Sequence, residues 1–110
     1  MEDWHKYNEK LSSTENFVKV NVKNERNKKL IFDFERDIAA RDISKPRIIR
    51  YLVSLKKIDE WLGKDFDKAT KEDMITLLST IEKQTLSVWT KHGYKVIIKR
   101  FYKWLFQCED

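Results

Sequence analysis

Only two of the 110 residues are glycine and one is proline. Tight β-hairpins draw on glycine because their central residues need a positive φ, so a sheet built from hairpins has almost no turn material here. The scarcity favours helices. The few punctuators also stand where helix ends need them. Pro46 fits the first turn of a helix over 44–62, where a missing N–H costs nothing, Ser44 supplies its N-cap, and Gly63 follows as its stop.

Apolar spacing extends this reading along the chain. Leu30, Ile31, Phe34 and Ile38 recur at three and four residues from Asn24 onward, which predicts a helix over 24–41. Thr70 with Asp73 three residues later resembles a capping box, and Met74, Leu77, Leu78 and Ile81 supply the apolar face of a helix ending near Lys83. Ser87 or Thr90 caps a last helix to about Phe106, whose core arc is Tyr94, Ile97, Ile98, Phe101, Trp104 and Leu105. Residues 1–23 show short apolar pairs without a sustained period and read as a partly ordered N-terminal arm, docked through Trp4, Tyr7 and Phe17. The expected architecture is all-α: a compact four-helix bundle over 24–106 preceded by that arm.

Hydrophobic residues make up 41% of the chain and charged ones 37%, a balance that suits a folded domain better than a disordered polyelectrolyte. Cys108 is the single cysteine and His5 and His92 the only histidines, so no zinc-ligand spacing and no disulfide can be assembled, and no cofactor is expected. No apolar run approaches 20 residues and no leader pattern opens the chain. A soluble cytoplasmic protein without a membrane or small-molecule partner is the expectation.

The net charge is +5, but its distribution says more. Segments 44–62 and 87–110 each hold five basic residues against two acidic ones, while every other segment is balanced to within one charge. Within 44–62, Arg47, Arg50, Ser54 and Lys57 lie opposite the apolar arc of Ile48, Tyr51, Leu52, Leu55, Ile58 and Leu62. In the last helix Lys91, Lys95, Lys99 and Lys103 climb one side at four-residue spacing. Soluble helices usually intersperse glutamate with lysine at that spacing, because such pairs stabilise them by about 0.2–0.5 kcal/mol each. Two acid-free stripes point to an external anion, and double-stranded DNA, whose major groove admits a helix, is the partner expected.

The same residues carry a family resemblance. The order "SKPRIIRYLVSLKKIDEWLGKDFDKATKEDM" then "SVWTKHGYKVIIKRFYKWL" resembles the N-terminal core-binding domain of tyrosine recombinases, nearest to archaeal integrases and Xer-type enzymes. The resemblance implies a SAM-like bundle over 24–106, with the 44–62 and 87–106 helices against the major groove and an interdomain linker starting at 107–110. It also implies that the parent protein breaks and rejoins DNA, in integration or recombination at the nucleoid. The family's catalytic tyrosine, arginines and His-x-x-Arg belong to a separate domain; neither histidine here opens His-x-x-Arg, so this chain is not expected to be an enzyme.

The expected DNA contacts are Lys45, Arg47, Arg50, Lys57, Thr90, Lys91, Lys95, Lys99 and Lys103, the lysines as phosphate ligands and the arginines as base readers. Lys45 and Thr90 stand at helix starts, where backbone N–H groups also favour phosphate, and Thr90 has an equal claim as a cap. His92 reads as a solvated histidine on the basic face, Tyr102 flanks the lysines with either a core or a surface role, and Phe32 lies off its helix's apolar arc as an exposed ring covered by the arm or a neighbouring protomer. The alternative is a helical protein-interaction module that binds an acidic partner. A single-strand binder is disfavoured because it needs exposed aromatics among the cations, and most rings fall on the core arcs.

Overall fold

The computed structural model describes the backbone of residues 2–107 and the side chains of residues 7–107. It contains five α-helices: α1 (Glu2–Asn21), α2 (Glu25–Ala40), α3 (Lys45–Leu62), α4 (Lys71–Glu82) and α5 (Val88–Gln107), with one 3-10 turn at Phe66–Lys68. No strand occurs among the described residues.

Two expectations change at the N-terminus. Among the described residues the bundle has five helices, not four, and the segment read as a partly ordered arm is a 20-residue helix packed on α3. Its core-facing stripe is the partly buried Leu11 with the buried Thr14 and Val18, continued just past the helix end by the buried Val22, spaced at three and four like any core-facing set. A threonine in the stripe masked the period. Its hydroxyl is satisfied by donating to the Lys10 carbonyl at 2.8 Å, which lets it sit on the buried side. Of the three rings expected to dock the arm, Tyr7 is half-buried, Phe17 is exposed with Lys56 Nζ 5.2 Å from its centroid, and the side chain of Trp4 lies outside the described residues.

The helix ends follow their local chemistry. The Asn24 side chain caps α2, and Gly63 closes α3 in the left-handed region at φ 69°. The Thr70–Asp73 capping box forms in full, with aspartate in the place glutamate usually takes. Ser44 stands at the N-cap of α3, but its side chain makes no capping hydrogen bond.

α3 is the hub, packed against α1, α2, α4 and α5. Contact on so many sides explains why Ser54, read from the sequence as part of a basic face, is buried. The core joins the expected α2, α3 and α5 arcs around Phe34, whose ring meets Tyr51, Phe101 and Trp104 edge-on at 5.3–5.5 Å. Phe32 is only partly exposed and packs against this core, whereas Leu78, expected inside, is exposed. The fully buried Asn27 fastens α2 to the α3–α4 connection: its side-chain amide donates to Asp59 at 2.8 Å and to the Lys64 carbonyl at 2.9 Å, and its oxygen accepts the Phe66 N–H at 2.7 Å. Burial pushes the Asp59 carboxyl above its usual range, against the opposing pull of that Asn27 bond.

Candidate nucleic-acid interface

α3 and α5 approach each other where α5 carries glycine. Gly93 is buried, and a Cβ at that position would stand 2.3 Å from Arg50 Nη2. A glycine inside a helix costs roughly 0.5–1 kcal/mol relative to alanine. Here its missing side chain provides the space in which the Arg50 guanidinium lies against α5. One turn earlier on α3 is Arg47, and Arg100 comes from two turns further along α5, its Nη1 donating to the Tyr51 hydroxyl at 2.7 Å.

These three arginines line a cleft of about 360 Å³ together with Trp89, His92 and the apolar wall of Val96 and Ile97. No acidic residue lines it. On the other side of Arg50 a second recess, of about 290 Å³, is bounded by Ser54, Thr90 and Tyr94. Arg100 also reaches a third recess, shared with Arg41 and Lys103. The result is a basic track of Arg50, Arg47, Arg100, Lys103 and Arg41 across α3, α5 and the end of α2. Arg41, Arg47, Arg50 and Lys103 form no side-chain hydrogen bond or ion pair within the described residues.

The remaining expected contacts are distributed differently. Lys91 Nζ donates to the Glu82 carbonyl at 2.7 Å and Lys95 pairs with the Glu82 carboxylate, so both turn toward the end of α4. The Lys95 hydrogen bond, followed by the charges of Lys95 and Lys91, holds the Glu82 carboxyl below its usual range. The lysine stripe of α5 is therefore not acid-free in three dimensions. Its first two members meet a carboxylate supplied by another helix. Lys99 and Lys103 rim an apolar groove of about 720 Å³ with Lys71, Met74, Tyr102 and Phe106.

Lys57 pairs with Glu60 at 3.5 Å and lies 5.7 Å from the Trp61 ring centroid, while Lys45 donates to Asn8 of α1. Ser87, not Thr90, caps α5: the Thr90 N–H donates to Ser87 Oγ at 3.1 Å, and the two hydroxyls are 2.9 Å apart. Tyr102 donates to the Phe66 carbonyl at 2.9 Å, and burial, then the charges of Asp67 and Asp73, push its hydroxyl well above the usual range. Its role is structural.

Sequence reasoning missed Arg41, Arg100 and Trp89. Arg41 sits in a charge-balanced segment, where counting hides it. Arg100 is off the lysine stripe by one residue, although positions 89, 92, 93, 96, 97 and 100 repeat at three and four and could have marked a second face of α5. Trp89 is 81% exposed and, like Phe17 and Phe106, departs from the expectation that most rings fall on the core arcs.

Comparison with known protein families, curated proteins and solved structures finds no match for this chain.

Proposed function

We propose that the chain is a double-stranded DNA-binding module, with α3 and α5 against the major groove, of the kind that tyrosine recombinases carry as their core-binding domain. The observation that carries the reading is the convergence of Arg47, Arg50 and Arg100 on one cleft without a carboxylate among its lining residues. Like charges gathered without a counter-charge favour an anion from outside, and the planar guanidinium fork suits phosphate oxygens and the guanine edge. Arg41 and Lys103 extend the cationic surface from Arg100 along a neighbouring recess. The recombinase setting rests on the sequence resemblance, and in it strand cleavage belongs to a separate catalytic domain.

Salt-dependent binding to a labelled duplex tests the proposal. If about five cations meet phosphates, log K falls against log salt with a slope near −5, at roughly −0.9 per contact. The triple variant Arg47→Gln, Arg50→Gln, Arg100→Gln loses most of the affinity and flattens the slope, whereas Lys91→Gln with Lys95→Gln leaves both nearly unchanged because those lysines serve Glu82. Equal losses in the two sets would reduce the attraction to net charge. A flat slope in the unaltered protein, with tight binding to an acidic protein, would favour the interaction-module reading.

A further inference from the structure

Trp89 has no visible task in the fold. Trp61 packs edge-on against Tyr94 at 5.0 Å, and Trp104 packs on Phe34 while its Nε1 donates to Asp37 at 2.6 Å. Among the described residues the side chain of Trp89, in the first turn of α5, stacks on no ring and makes no hydrogen bond, and 81% of its surface is in water. Its neighbour Val88 is equally exposed. Exposing a large ring forgoes the burial that holds Trp61 and Trp104 in place, and this ring stands at the cleft into which three arginines converge.

The cleft itself is more than a charged patch. At about 360 Å³ it falls within the size range of small-ligand pockets, roughly 300–1,000 Å³, and it combines an apolar wall with a few convergent polar groups as such pockets do. Val96 and Ile97 form the wall, the guanidinium groups are the polar elements, and Gly93 lets that of Arg50 lie close against α5. A flat ring joined to an anion matches this arrangement. A nucleotide is such a group, because every base presents a π-face to an aromatic side chain while its phosphate suits the arginine fork.

We infer that the α3–α5 cleft accepts one unstacked nucleotide of bound DNA, its base against Trp89 and its phosphate among Arg47, Arg50 and Arg100. The inference rests on the DNA-binding reading above and adds a condition to it. Bases inside an intact duplex have both faces covered by their neighbours, so Trp89 is idle on perfectly paired DNA and engages where a base is extrahelical, as at a bulge. The domain then discriminates DNA by local stacking as well as by charge.

The experiment compares a perfectly paired duplex of about two helical turns with the same duplex carrying one extrahelical adenine, by fluorescence anisotropy, for the unaltered protein, Trp89→Ala and Trp89→Phe. Circular dichroism of each variant checks the fold, which an exposed side chain should not disturb. Base–aromatic stacking of ordinary strength predicts about tenfold tighter binding to the bulged duplex. That preference disappears in Trp89→Ala and is retained in part by Trp89→Phe. Equal affinity of the unaltered protein for both duplexes overturns the inference and leaves duplex binding intact, as does a Trp89→Ala loss of equal size on both. Free deoxyadenosine monophosphate that binds as tightly as the bulged DNA overturns it in favour of a small-nucleotide site. Failure to bind either duplex overturns both readings.

Discussion

Gly93 shows how a single missing side chain shapes the cleft. Alanine there would gain up to about 1 kcal/mol of helix propensity, and the atom its Cβ would strike, Arg50 Nη2, is the far end of a flexible side chain. The fold can therefore accommodate the change while Arg50 cannot keep its place. Gly93→Ala is expected to leave the melting temperature unchanged or a few degrees higher and to weaken duplex binding several-fold, as thermal unfolding and anisotropy on one preparation will show. A purely structural glycine would give the opposite pattern, with stability lost. In the sequence this glycine stood out only as one of two. Its partner was invisible, because nothing in the local pattern of α5 reveals which residue of α3 lies across from it.

Among the elements, α2 to α5 were legible because their ends carry strong chemistry: Gly63 and the Thr70–Asp73 box act where the pattern put them, Asn24 caps α2 where its pattern begins, and Ser87 is the one of two offered caps that closes α5. α1 was not legible. Thr14 occupies a stripe position, the flanking Ser12, Ser13 and Asn16 dilute the period, and only docking on α3 makes the helix pay. The partition of the α5 lysines was hidden for a related reason, since Glu82 comes from a different helix. Docking α1 also brings carboxylates together. The Glu35 carboxyl of α2 is pushed up to about 8, first by burial and then by its hydrogen bond to Glu15 of α1 and that group's charge. The folded state thus holds a proton between its ordinary value of 4.5 and about 8 that the unfolded chain has released. By linkage, this contribution to stability is fully present below about pH 4.5 and is lost as pH rises toward 8. Urea unfolding midpoints should fall between pH 5 and pH 8.5, and Glu35→Gln, which keeps the shape without the charge, should flatten that decline. A decline of the same size in the variant would assign it to other groups.

At the scale of the whole molecule, the basic track and the aromatic core are one connected body. Arg100 is bonded to the Tyr51 hydroxyl, Tyr51 meets Phe34 edge-on at 5.5 Å, and Phe34 in turn holds Phe101 and Trp104. α3 and α5 each contribute to both, so changes that spare the core can still move the track. The anchoring of Arg100 has a thermodynamic consequence. A long side chain immobilised on binding typically costs about 0.5–1.5 kcal/mol, but the freedom of this guanidinium is already restricted when the chain folds. Tyr51→Phe keeps the ring, the edge-on packing and every cation, and removes only the tether. Calorimetry should then find duplex affinity lower by up to about tenfold, with the loss appearing as a less favourable entropy at nearly constant enthalpy, while the salt slope stays where it was. The tyrosine hydroxyl never needs to touch DNA to matter: it moves an ordering cost out of association and into folding, so the arginine meets its phosphate already still.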